Sequence, residues 1–375
     1  EIMPSLVGSE MCIRDRYDAL DLVYNKFFEE LDNAIEVLSN YVNGNVDAKL
    51  MSDYDCVYGG DVEKWVKFAN TLRLRLAIRV SYANPTLAEA QAKKSMENMF
   101  GFIESKAERA ELSHNSLEYH HPLHEIAYNF NSGDCRPGAT IVAYLNGLND
   151  SRISSYFTAA DDGEYHGVRI GITTSNMSNY QGNKISNLNI NRASTPVVWM
   201  TAAESFFLRA EGALRGWDMG GTAKSFYEQG VRMSFEENNA AGVDDYLADH
   251  TSTPGAFADN VGSDNYTFSS RVTPAWDDNA GFEAQLERII TQKWIAIYPD
   301  GPEGWSEYRR TGYPEVIPVV RNSSNGTIDT QLQVRRLPYT RDEKINNASG
   351  VASGISALGG QDTGGTKLWW DKKSR

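Results

Sequence analysis

The chain has 375 residues, with 36 Lys plus Arg against 50 Asp plus Glu, a formal net charge of −14 and 41% hydrophobic residues. That length can bury enough surface for one large domain or two smaller ones without a disulfide or metal scaffold, and the composition is that of a chain that folds. The acidic balance argues against nonspecific nucleic-acid binding, which needs clustered cations facing phosphate.

Residues 1–16 show no sustained helical or strand period and read like translated adapter sequence, so they are expected to be a non-native leader. On that reading the natural start, with any targeting signal, lies outside the chain. From Tyr17, apolar residues at Leu20, Tyr24, Phe27, Phe28, Leu31, Ile35 and Leu38 recur every three or four positions, which predicts an amphipathic helix ending at Asn43-Gly44-Asn45. Asp61 is a capping residue for a second helix carrying Trp65, Phe68, Ala69, Leu72, Leu76 and Val80, stopped by Asn84-Pro85. Its Arg73, Arg75 and Arg79 read as a structural or solvated face. Thr86 and Glu89 have the spacing of a capping box for a short helix to about Phe100.

Residues 101–195 are rich in Asn, Ser, Gly and Tyr, with one helical stretch at Ala139 to Leu148 and short apolar runs near Val168 to Ile172 that suggest hairpin character. A long irregular segment in a compact domain is where a binding surface is expected. A helix pair follows: Thr201 and Glu204 cap the first helix, Gly216 stops it, and the second runs from about Thr222 to Glu237. The pair is close to the tetratricopeptide period. Ala240 to Ala275 reads as loop. Phe282 to Ile297 reads as another amphipathic helix, broken at Pro299 to Pro302, and the tail from Tyr313 as a wrap over the helices.

No motif for catalysis stands out. Gly354-Ile355-Ser356-Ala357 is followed by Leu358 instead of the glycine of a nucleophile elbow, and Gly365-Thr366-Lys367 lacks the spacing of a phosphate loop. His120 and His124 have a metal-ligand spacing, but Pro122 between them works against a regular helix, so no metal or cofactor is expected. Cys12, Cys56 and Cys135 form no C-x-x-C pair, and no run of eighteen apolar residues occurs. The distinctive component is aromatic: 19 Tyr, 14 Phe and 8 Trp. Trp65, Trp199 and Trp294 are expected in the core. Tyr128, Tyr180 and Trp276 sit in polar loop surroundings, where rings can stack on sugars or peptide side chains.

Several segments in order resemble the SusD/RagB family of outer-membrane nutrient-binding lipoproteins. They include Tyr58-Gly59-Gly60-Asp61 with Lys64-Trp65, Tyr144-Leu145-Asn146-Gly147-Leu148-Asn149-Asp150 with Arg152, Leu208-Arg209-Ala210-Glu211-Gly212-Ala213, Gln292-Lys293-Trp294-Ile295-Ala296, Arg309-Arg310-Thr311-Gly312-Tyr313-Pro314 and Leu368-Trp369-Trp370-Asp371. The resemblance implies a mainly α fold, a tetratricopeptide-like helix-pair scaffold with long loops and a few short strands, over residues 17–375, with the beginning of the family fold missing. It implies a non-enzymatic surface protein of the outer membrane that captures oligosaccharide or peptide for a SusC-like TonB-dependent transporter. The membrane would be met only through an N-terminal lipid anchor absent from this chain. The ligand surface is expected at Tyr128, Tyr180 and Trp276 for stacking, with Asn131 and Arg136 for hydrogen bonds. Alternatives are a glycan-active hydrolase of helical fold, which needs two carboxylates in one cleft with displaced pKa values, and a helical-repeat adaptor.

Overall fold

Helix α1 (Leu20–Gly44) follows the apolar period from Tyr17, burying Phe28 and Ile35 against α2 (Val62–Arg79). These come from a computed structural model, which describes residues 16–45, 49–112, 121–129, 135–172, 174–191 and 194–373. The expected leader, all but Arg16, lies outside the described residues. Asp61 caps α2 by accepting from the Lys64 amide at 3.1 Å. Helix α3 (Pro85–Met96) starts two residues earlier than the capping-box spacing indicates: Asn84, not Thr86, is the cap, accepting from the Leu87 amide at 3.1 Å, with Pro85 at the position where a missing N–H costs nothing.

The segment after α3 supplies strand β1 (Ala110–Leu112), helix α4 (Ala139–Gly147), and strands β2 (Phe157–Thr158), β3 (Asn187–Leu188) and β4 (Val197–Met200). Strand β1 pairs antiparallel with β4, and β2 with β3. The Val168 to Ile172 run is not a hairpin. It meets the start of α4 through a single parallel bridge between Gly138 and Val168. Trp199 also departs from expectation: it lies on β4, is 43% exposed, and is not a core helical residue.

The helix pair is α5 (Ala202–Leu214) and α6 (Ala223–Glu237), capped by Thr201 and Thr222. Gly230 lets the two approach, because a Cβ there would lie 2.8 Å from the Phe207 ring. Next come α7 (Val243–Ala248), strands β5 (Ala256–Phe257) and β6 (Tyr266–Thr267), and α8 (Phe282–Ala296). The expected break at Pro299 to Pro302 is short, since Asp300 caps a further helix, α9 (Gly301–Thr311), with Pro302 in its first turn. The tail adds α10 (Arg341–Asn346) and α11 (Ala348–Leu358). The fold is mainly α, with short two-stranded sheets among the described residues.

Apolar faces of α2, α4, α5, α6 and α8 meet in one large core that includes Leu74, Tyr144, Phe207, Tyr227, Phe235 and Ile289. Beside it runs a buried ion network. Arg75 reaches Glu204, Arg79 reaches Glu303 at 2.6 Å, Lys293 reaches Glu303 at 2.9 Å, and Arg310 bridges Glu211 and Glu307 at 2.6 Å each. Buried charges persist only when paired and hydrogen-bonded, so this network fixes how α2, α5, α8 and α9 meet. Arg73 pairs with Asp32 of α1 at 2.7 Å, so the three arginines of α2 are structural.

Candidate functional site

The loops around β2, β3 and the start of α4 form an open cavity of about 520 Å³ whose lining includes Arg136, Val168, Ile170, Ile172, Met177 and Tyr180. Its back wall is set by backbone. The Ala139 amide donates to the Val168 carbonyl and the Val168 amide to the Pro137 carbonyl, both at 2.9 Å. Gly167 permits this approach, since a Cβ there would lie 2.8 Å from the Gly138 carbonyl oxygen. Beyond the bridge, the Val320 amide donates to the Ile170 carbonyl at 2.9 Å. Arg169 donates to the carbonyls of Pro318, Asp264 and Asn265 at 3.0 to 3.2 Å and stacks over Tyr266. That anchoring directs Ile170 outward, 68% exposed, next to the exposed Met177.

Tyr180 is held from the other side. Its hydroxyl donates to Asp259 at 2.6 Å, and Asp259 also accepts from the amides of Val261, Gly262 and Asp264. Burial opposes ionisation of Asp259, but these hydrogen bonds outweigh it and hold its pKa below the usual range. The phenol is pushed above its usual range by burial and by Asp259, so Tyr180 stays neutral; it lines the cavity but is only 5% exposed, which corrects the expectation of an open stacking ring. Arg136 differs from Arg169: its Nε is buried with no hydrogen-bond partner, and it makes no ion pair among the described residues. A guanidinium so placed is an unused donor beside an aliphatic and aromatic surface.

Tyr128 lies on a turn of π-helix (Glu125–Asn129), its hydroxyl donating to the Leu188 carbonyl on β3 and its ring 4.8 Å from His124. Burial raises its phenol, with the positive charge of Arg136 acting the other way, so the two residues feel each other. The structure thus brings Arg136 and Tyr180 into one cavity with Tyr128 nearby. Asn131 and His120 lie outside the described residues. Trp276 is a correction: it is 7% exposed, its indole donates to Asp278 at 3.0 Å, and its ring packs 5.3 Å from Tyr227 in the core. Ile170 falls within the apolar run read as hairpin, whereas Met177 stands in no pattern that marks it. No group of three or more His, Cys, Asp or Glu among the described residues could hold a metal.

The sequence profile described as "SusD-like: Susd and RagB outer membrane lipoprotein" matches residues 2–371. The chain belongs to the SusD-like family. It is therefore a protein of the outer membrane, in a family described as lipoproteins. A chitin-binding SusD homologue from Flavobacterium johnsoniae is 41% identical with a TM-score of 0.91, the match covering 96% of this chain and 74% of that one. A SusD homologue from Bacteroides uniformis is 43% identical with a TM-score of 0.90 over the same shares. One from Bacteroides thetaiotaomicron is 38% identical with a TM-score of 0.87, covering 97% of this chain and 76% of that one. No curated protein matches the chain. No helix among the described residues is long and apolar enough to cross a membrane.

Proposed function

We propose that this SusD-like chain binds oligosaccharide at the cell surface through the Arg136 and Tyr180 cavity, without turning it over, and delivers it to a SusC-like TonB-dependent transporter. Residues 17–375 form the binding domain. The observation that carries the reading is the Arg136 Nε, with no partner among the described residues, in one cavity with the buried Tyr180 and the exposed Ile170 and Met177. A sugar face can lie on the apolar surface while a carbonyl or hydroxyl oxygen accepts from the guanidinium. An N-acetylated sugar suits this pairing, its methyl against Ile170 and Met177 and its carbonyl oxygen on Arg136. The 41% identity to a chitin-binding homologue supports that choice.

Titration calorimetry of the chain with chitin oligosaccharides tests it. Binding that falls at least tenfold in Arg136→Ala supports the reading, and binding equal in both proteins sinks the site. A wild-type chain that binds peptides but no glycan in a mixed array would overturn the ligand class. Failure to co-purify with a SusC-like transporter expressed alongside would overturn delivery.

One observation favours the hydrolase alternative. Glu287 and Glu315 line one cavity of about 530 Å³ with their pKa values displaced in opposite directions. Burial and the charge of Glu315 raise Glu287. Glu315 is lowered because hydrogen bonds from Tyr266, Ser269 and Ser270 outweigh burial. Ser270 joins the pair, its amide on Glu315 and its hydroxyl on Glu287, which reads better as a clamp on the loop after β6. Turnover of a glycan that disappears in Glu287→Gln would reverse that judgement.

A further inference from the structure

A second cavity, of about 400 Å³, shares no lining residue with the first. It opens where the end of α6, the start of α5 and the residue pair Tyr298 and Pro299 after α8 converge. One wall is apolar, with Tyr298 stacked 4.7 Å from Tyr156 and Ile190 and Pro299 beside them. The lining also carries the amides Asn189, Asn238 and Asn239 and the hydroxyl of Ser155. A ring face against an apolar wall with amides around its edge is a sugar-shaped arrangement.

The charges in this cavity set it apart. Lys106 and Arg109 both line it, with the buried imidazole of His121. Lys106 donates to the Glu236 carbonyl and to Asn239, each at 3.1 Å. Arg109 pairs with Glu111 through one terminal nitrogen, while its Nε is buried with no partner among the described residues. Glu237 is the one carboxyl among the described lining residues, and it accepts from the Ala202 amide at 2.8 Å and the Ala203 amide at 3.4 Å at the start of α5. Burial keeps its proton up to about 7, against those two amides and the charges of Arg109 and Lys106. Below neutral pH, Lys106 and Arg109, the latter shared with Glu111, therefore face the cavity with no ionised carboxyl among its described lining residues.

We propose that this cavity is a second ligand site, for a sugar bearing a carboxylate such as a hexuronate of an acidic oligosaccharide, and that it accepts the acid more readily as pH falls below neutral. The carboxylate meets Arg109 and Lys106, the ring lies against Tyr298 and Pro299, and the hydroxyls reach the amides. Above neutral pH, ionised Glu237 repels the ligand. The groups facing Glu237 are Arg109 and Lys106 from the segment before β1, the two amides of α5, and His121 across the cavity.

Glucuronate and glucose, titrated into the full chain by calorimetry or ligand-observed NMR, provide the test. Glucuronate should bind about tenfold tighter than glucose, and about fivefold tighter at pH 6 than at pH 8, the size of one partly screened charge contact. Binding should persist in Arg136→Ala, which separates this site from the first cavity, and should be lost in Arg109→Gln. If Arg109→Gln does not fold, Lys106→Gln, at the cavity rim, should still weaken binding several-fold. Glu237→Gln should abolish the pH dependence while keeping the affinity seen at pH 6. Equal affinity for the two sugars, no glucuronate binding, loss of binding in Arg136→Ala, or a pH dependence that survives Glu237→Gln would each overturn the proposal.

Discussion

Arg310 of α9 lays both terminal nitrogens on Glu211 of α5, Nη1 on Oε1 and Nη2 on Oε2, each at 2.6 Å, and both residues are fully buried. This parallel pair is the geometry that carboxylates and guanidinium match best. Arg310 also holds Glu307 of its own helix, so one side chain fastens α9 to the helix pair.

Removing Arg310 leaves Glu211 and Glu307 as buried anions short of a partner. Arg310→Met should therefore destabilise the fold by about 3–5 kcal/mol, measured by urea unfolding. The combined change with Glu211→Leu should cost less than the two single changes added together, because both remove the same buried pair.

The same network predicts a response to acid. Burial opposes ionisation of Glu303, but Arg79, Lys293 and Arg75 overcome it and hold the carboxyl near 2. Glu211 and Glu307 are lowered the same way, chiefly by Arg310. In the unfolded chain these groups titrate near 4.5, so their stabilisation is complete above that pH and is lost as pH falls from about 4.5 towards 2. Thermal melts between pH 5 and 2 should show a steep loss, and Glu303→Gln should flatten it.

Glu237 has the opposite sign. Its folded pKa of about 7 lies above the ordinary 4.5, so the folded state binds the extra proton between those values and stability declines as pH rises through that window. The displacement corresponds to roughly 3 kcal/mol at most. Glu237→Gln keeps an acceptor for the Ala202 amide and should remove this slope. Denaturant midpoints at pH 5 and pH 8 would show it.

Trp276→Ala and Arg136→Ala should separate packing from binding. Loss of the buried indole should cost about 3–5 kcal/mol of stability and leave the glycan affinity of the still-folded protein within about twofold. Arg136→Ala should leave the unfolding midpoint nearly unchanged and lower affinity at least tenfold. Unfolding curves and calorimetry on both variants decide it.

The helices whose apolar residues recur every three or four positions, α1, α2, α5, α6 and α8, were legible because their buried stripes are written locally. Helix α9 was masked by Gly301 and Pro302, which punctuate loops and also open helices. Asp300 as its cap was the available clue. Helix α11 carries Val351, Ile355 and Leu358 at helical spacing, but the Ser and Gly residues between them read as loop. At the site, Arg136 and Tyr180 were legible as loop residues, but their meeting depends on the backbone bridge at Val168, which no local pattern encodes. Trp276 stands among polar neighbours in sequence, and its burial is decided by Tyr227 from a distant helix.

The crossing at Gly167 has a consequence for how such a protein diversifies. The residue that shapes the cavity's back wall tolerates no side chain, whereas Ile170 and Met177 point into open space and touch neither the core nor the ion network. If ligand binds in this cavity as proposed, change of diet can proceed by exchanging those two outward residues at little expense to folding, while the glycine stays fixed as the frame on which each new specificity is mounted.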